Sequence, residues 1–187
     1  MQKIGIIIGS TRPGRRAEDV ARWVHGIAEK RTDAEFELVD LLDFKLPLLD
    51  EATPPAYGKY EHEHTKNWAA KIGSFDGFVF VTPEYNHATS GALKNAIDFL
   101  GREWKDKAAG FVSYGSMGGV RAVENLRLIM GELMIADVRA QVALSIFTDW
   151  ENSMFKPAAV HEKSMTAMLD QLIAWSGALK PVRLSRT

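Results

Sequence analysis

A chain of 187 residues, 46% hydrophobic and 25% charged, has the composition of a globular protein and the length of one generous domain. It contains no cysteine, which excludes disulfide frameworks, Cys-ligated zinc, iron–sulfur clusters and cysteine nucleophiles together. The formal net charge of −1 argues against a nucleic-acid coat or a basic membrane-surface patch. The longest stretch free of acidic and basic side chains, residues 108–120, carries four glycines and is too short to cross a bilayer. The N-terminus enters a strand-like run at once, without the pattern of a signal peptide. The expectation is a single cytoplasmic domain over residues 1–187.

The elements can be taken in chain order. Residues 3–8 are continuously apolar, as expected of a strand covered on both faces. Val20, Trp23, Val24, Ile27 and Ala28 recur at helical spacing, with Glu18, Asp19, Arg22 and Glu29 opposite them, and predict an amphipathic helix over 17–30. A second strand is expected at 36–39. Proline at 47, 54 and 55 marks a long irregular connection. A short helix over 65–72 and a buried strand over 77–82 come next. Ala92, Leu93, Ala96, Ile97 and Leu100 form the next helical face. Residues 109–113 and 141–146 are further strand candidates, separated by a helix through Val123, Leu126, Ile129, Met130 and Leu133, and a helix over 166–179 closes the chain. Strand and helix alternating without a break predict an α/β fold, a doubly wound parallel sheet of five strands.

Such sheets bind ligands outside the carboxyl ends of their strands, where the strand order reverses. Three loops fall there. Residues 9–16, Gly-Ser-Thr-Arg-Pro-Gly-Arg-Arg, lead into a helix and suit a terminal phosphate, because helix N-termini and guanidiniums both favour anions. Arg16 reads equally well as solvated surface. The glycine spacing is that of a P-loop, but Arg15-Arg16 stands where Lys-Ser/Thr is needed. The middle glycine of a dinucleotide fingerprint is also missing, so Asp40 is expected to be a strand cap rather than a ribose ligand. Pro83, Glu84, Tyr85 and Asn86 offer the wall and polar groups that a flat heteroaromatic ring requires, with Ser90 as the cap of the following helix. Residues 113–119, Ser-Tyr-Gly-Ser-Met-Gly-Gly, form a candidate nest of backbone N–H groups.

These motifs resemble the NADPH-dependent FMN reductase family, flavoproteins of flavodoxin-like fold that include quinone, azo-dye and chromate reductases. The resemblance runs from Ile4 to about Ile146 and is most specific over 83–86 and 91–98. It implies a sheet order of 2-1-3-4-5, FMN as cofactor, and NADPH or NADH as co-substrate. Ser10, Thr11, Arg12 and the start of the first helix would hold the phosphate. Arg15 would substitute a charge for a serine common among relatives. Pro83, Glu84, Tyr85 and Asn86 would lie along the isoalloxazine, and Ser113, Tyr114, Gly115, Ser116 and Gly118 would approach its other edge. The implied mechanism is ping-pong: hydride passes from NAD(P)H to flavin N5, and electrons then leave to a small-molecule acceptor such as FMN, a quinone, an azo dye or a metal oxyanion. The cofactor carries that chemistry, so no acid–base pair is required. The resemblance also implies a homodimer or homotetramer, while charge and composition lead to the expectation of no nucleic-acid or membrane partner.

Rival readings remain at this level. A flavodoxin-type electron carrier shares the fold but usually has a hydroxyl-rich phosphate loop and an acidic surface. A serine hydrolase would use Ser116 with His161 and Asp149, although the first glycine of the Gly-x-Ser-x-Gly elbow is absent. A regulatory module would bind no cofactor. His87 is expected at the surface beside the ring loop. His62 and His64 have metal-ligand character but no third ligand on a rigid element, and are expected to be solvated.

Overall fold

The computed structural model describes residues 1–185. Five parallel strands form the central sheet: β1 (Gln2–Ile8), β2 (Ala34–Asp40), β3 (Gly77–Pro83), β4 (Ala108–Gly115) and β5 (Ala136–Ser145), in the order β2-β1-β3-β4-β5. The connecting helices are α1 (Ala17–Ala28), α2 (Leu41–Phe44), α3 (Glu63–Gly73), α4 (Gly91–Asp98), α5 (Val120–Glu132) and α6 (Val160–Leu184). The five-stranded parallel sheet is the one expected from the alternation of elements, and its order is the flavodoxin-like one that the resemblance implied. Strand order reverses between β1 and β3, which places the carboxyl ends of both beside a crevice.

The sheet is covered on both faces because successive side chains point to opposite sides. Ile4, Ile6, Ile8, Val79 and Val81 face one way and pack with Val20, Val24, Met165, Leu169 and Leu172 of α1 and α6. Ile7, Phe78, Phe80 and Phe111 face the other way, against Trp68, Ile72, Leu93, Ile97 and Leu126 of α3, α4 and α5. The second face is aromatic. Trp104 sits 5.0 Å from Phe78 and 6.3 Å from Trp68, measured between ring centroids. Both indoles are fully buried, and both satisfy their N–H on α4 carbonyls: Trp68 donates to Ala96 at 2.7 Å and Trp104 to Ile97 at 3.1 Å. These bonds fix the end of α4 against the core, so the loop that begins it is held from below.

Several elements depart from expectation. Strand β5 begins at Ala136 rather than at 141. Its first half carries Asp137 and Arg139, since an edge strand needs no continuous apolar run. Helix α6 extends to Val160 and Leu184, beyond the apolar stripe over 166–179. The four-residue α2 and the hairpin of β6 (Trp150–Glu151) with β7 (Met154–Phe155) are too short to leave a periodic signal. Among the described residues no helix is long and apolar enough to cross a membrane.

Candidate active site

The loops after β1, β3 and β4 converge on a cleft of about 580 Å³, lined among others by Arg12, Arg15, Arg16, Tyr85, Tyr114 and Ser116. Each loop is rigid for a different reason. The first is pinned where the Gly9 N–H donates to the Val81 carbonyl at 2.8 Å and the Ser90 hydroxyl donates to the Gly9 carbonyl. Ser90 also caps α4, accepting from the Leu93 N–H at 3.0 Å. The expected cap therefore does a second job, tying the first loop to the second.

The second loop is a two-residue hairpin turn. Tyr85 N–H donates to Ala88 at 2.9 Å, Ala88 N–H returns to Tyr85 at 3.1 Å, and Asn86 and His87 have φ of 51° and 70°. Asparagine tolerates that backbone region better than most side chains, which accounts for its place here. The third loop closes where the Ser113 hydroxyl donates to the Gly118 carbonyl at 2.7 Å. Gly118 and Gly119 have φ of 71° and 72°, the left-handed region that glycine enters without steric cost.

A salt bridge joins the second loop to the first turn of α5, directly after the third loop. The Glu84 side chain is 7% exposed; it accepts from the Arg121 Nε at 2.6 Å and from the Arg121 backbone N–H at 3.1 Å. Burial pushes the Glu84 carboxyl up, but the hydrogen bonds and charge of Arg121 outweigh it and hold the carboxyl below its ordinary value. Arg121 Nη1 also lies 2.9 Å from His87 Nε2. Arg121 escaped the sequence reading. Its only signal was indirect: an acid buried at a strand end needs a cation nearby.

Residues 2–149 match the family of NADPH-dependent FMN reductases. The chain belongs to that family. It is 39% identical over 159 residues to an NAD(P)H-dependent FMN reductase of a Nectria species, covering 80% of this chain and 79% of that one. It is 40% identical over 149 residues to an NAD(P)H-dependent FMN reductase of Schizosaccharomyces pombe, covering 79% and 74%. Its fold resembles that of FerB, a flavoenzyme NAD(P)H:(acceptor) oxidoreductase of Paracoccus denitrificans, with a TM-score of 0.74 at 20% identity over 95% of this chain and 98% of the other. The protein is an FMN-dependent NAD(P)H oxidoreductase, and this membership decides for an enzyme over an electron carrier or a regulatory module.

Within this FMN reductase the motif residues divide into those that reach the cleft and those that build it. Arg12, Arg15, Pro83, Glu84, Tyr85, Tyr114, Gly115 and Ser116 line the cleft. Ser10 is 1% exposed, with its hydroxyl 3.4 Å from the Tyr85 hydroxyl. Thr11 faces a separate groove beside Leu42 and Asn95. Asn86 shapes the hairpin turn, and Ser113 and Gly118 are spent on their own loop. The cleft fits FMN on one observation above all: the Tyr114 hydroxyl, buried at its wall, has no hydrogen-bond partner among the described residues. A buried donor in a cleft with unpaired guanidiniums suits a phosphate oxygen.

Arg15 stands differently from the expectation. Its guanidinium turns inward, donating to the Ser10 carbonyl at 2.7 Å and to both carboxylate oxygens of Asp40, one of them at 2.7 Å. Donating to the Asp40 carboxylate raises the Arg15 pKa, against the opposing effect of burial. Asp40 is thus more than a strand cap: it also accepts from the Leu42 N–H at 3.0 Å and caps α2. Asp40→Ala should cost about 1–3 kcal/mol in urea unfolding, below the range for fully buried pairs because Asp40 is 22% exposed. An unchanged unfolding midpoint would show that water replaces the carboxylate.

The hydrolase constellation does not assemble. His161 Nε2 does lie 2.9 Å from Asp149 Oδ1. That carboxylate, however, orders its own loop by accepting from Ser145 N–H at 2.8 Å and Ala158 N–H at 3.1 Å. Among the described residues no hydrogen bond joins Ser116 to His161. His62 and His64 stack at 5.2 Å and lean on Asp50, their Nε2 atoms 3.3 Å from its carbonyl and 3.0 Å from its carboxylate.

Proposed function

We propose that FMN sits in this cleft with its phosphate at the 9–16 loop and its ring between the hairpin of Tyr85 and the turn of Gly115. The observation that carries this placement is the meeting of three rigid loops at the strand-order reversal. When bound, FMN accepts a hydride from NAD(P)H and passes the electrons to an acceptor, with one substrate leaving before the other arrives. The chain's part is to hold and to polarise. Backbone N–H groups at Gly115 and Ser116, which line the cleft, would stabilise negative charge on a bound ring. The Glu84–Arg121 bridge keeps both ring-facing loops at fixed separation. No side chain needs to move a proton.

The acceptor is a small molecule: free FMN, a quinone, an azo dye or a metal oxyanion. An open cleft with exposed Tyr85 and Ser116 at its rim accommodates all of these. Met117 and Phe147, 66% and 74% exposed, adjoin the cleft residues Ser116 and Ile146. Exposed apolar side chains of this size favour a homodimer, or a tetramer of two such pairs, formed beside the cleft. The whole chain works as one cytoplasmic domain.

The deciding experiment is an absorption spectrum after incubation with FMN and desalting, repeated anaerobically with NADPH. Retained flavin bands that bleach support the proposal. Failure to retain flavin, with no FMN-dependent NADPH oxidation, would overturn it. For the phosphate assignment, Arg12→Ala should weaken FMN binding by about 1.5–3 kcal/mol, the range for hydrogen bonds to charged groups, and leave riboflavin binding nearly unchanged. Equal losses for both flavins would show that Arg12 acts on loop shape instead.

A further inference from the structure

We propose that the phosphate is gripped from outside the Gly-Ser-Thr-Arg motif by the Tyr114 hydroxyl and the Arg16 guanidinium, with Trp150 as the positioning residue that holds Arg16 in place. This rests on the FMN reading above and adds two ligands and a brace that the motif does not contain. Three observations lead to it.

The first is the state of the arginines. Arg15 is committed to Asp40 and to the Ser10 carbonyl. Among the described residues Arg12 and Arg16 form no ion pair, and both line the cleft. A phosphate dianion therefore draws its countercharge from these two. The second is Tyr114, 6% exposed at the end of β4. Its hydroxyl lies beside the Ser10 hydroxyl, close enough for a weak interaction with it, and near the charges of Arg15 and Arg16, but makes no well-formed hydrogen bond. Burial first, and then the neighbouring Tyr85, raise its pKa, so it stays protonated and can only donate to an anion. Its side chain thus serves the phosphate end of the cleft rather than the ring edge. The third is the brace. The Arg16 guanidinium stacks 5.0 Å from the centroid of the Trp150 ring. Trp150 is 8% exposed and wedged between Tyr114 at 6.0 Å and Phe155 at 4.7 Å. The β6–β7 hairpin, otherwise without a role, thereby fixes a cation at the cleft wall, and a cation held by a ring keeps its N–H edge free for an anion.

The test measures dissociation constants for FMN and for riboflavin by quenching of flavin fluorescence. Tyr114→Phe, which keeps the ring, and Arg16→Gln should each weaken FMN about tenfold, one charged hydrogen bond's worth, with riboflavin unchanged within about twofold. The FMN affinity of Arg16→Gln should also fall less steeply with salt than that of the wild type. Trp150→Leu should weaken FMN in the wild-type background and have no further effect on an Arg16→Gln protein, a non-additivity that a general packing defect would not produce. Wild-type preference for FMN over riboflavin that persists undiminished in both Tyr114→Phe and Arg16→Gln would overturn the assignment and leave the flavin reading intact. The same holds if these variants raise KM for NADPH but not for NADH, since the anion gripped would then be the 2′-phosphate. Wild-type protein that binds neither flavin would overturn the flavin reading itself, and this one with it.

Discussion

Gly9→Ala is expected to destabilise the protein by about 3 kcal/mol or more, far beyond the usual cost of one methyl group. A Cβ at this position would lie 2.5 Å from the Val81 carbonyl oxygen and 2.8 Å from a Leu93 methyl. The carbonyl cannot withdraw, because it accepts the Gly9 N–H that pins the loop to β3. Leu93 cannot withdraw either, being fully buried in the aromatic face of the core. The strain should therefore open the junction of β1, β3 and α4, where the proposed phosphate loop begins, so that FMN affinity falls together with stability. Gly26→Ala is the matched control. That glycine lies within α1, with nothing within 4 Å of its added Cβ, and alanine there should stabilise by about 0.5–1 kcal/mol. Urea unfolding of the two variants side by side measures the contrast. If both proved equally stable, the loop would be softer than its hydrogen bonds imply.

Lys107 should make stability depend on pH at the opposite end of the sheet. The residue is 5% exposed, and its ammonium donates to the Ile72 carbonyl at 2.8 Å near the end of α3 while lying 5.4 Å from the centroid of the Phe78 ring. Burial, and then the charge of Arg183, push its pKa from 10.5 down to about 7. Between those two values the unfolded chain holds a proton that the folded chain has lost, so stability rises with pH across the window. Below pH 7 both states are protonated, and the full penalty of burying the charge is present. The slope is at most about 1.4 kcal/mol per pH unit. Unfolding free energies at pH 7, 8 and 9 should accordingly show the wild type gaining about 2–3 kcal/mol on Lys107→Met over that range. Parallel pH profiles would mean that the folded protein keeps its lysine charged, through the carbonyls it caps.

Much of the site was legible in the sequence because its loops interrupt strong periodic signals. Runs such as Gly-Phe-Val-Phe-Val-Thr over 77–82 can only be strands buried on both faces, and the loop after such a strand in an α/β chain lies at its carboxyl end. Local propensity then explains the turns themselves: Asn86 at a positive φ, Ser90 as a cap, and paired glycines at 118 and 119. Where periodicity weakened, the element boundaries were lost. The polar first half of β5 is held by pairing with β4, as Ala136 pairs with Ala108, and pairing leaves no mark on the sequence of an edge strand.

The composition, the order of elements and the positions of the three loops were determined by the sequence, since each comes from local preference or from the period of apolar residues. The assignment of individual charges was decided only by the tertiary structure. Arg12, Arg15 and Arg16 are indistinguishable by type, yet Arg15 is withdrawn because the register of β1 on β2 sets Ile8 beside Asp40 and brings a carboxylate to the loop. Arg16 is held because a hairpin more than a hundred residues later lays Trp150 beneath it. Glu84 is neutralised by Arg121 from the first turn of α5. Electrostatic partners are chosen by distance in space, and in a sheet of order 2-1-3-4-5 the nearest partners of a loop lie on strands remote from it in sequence.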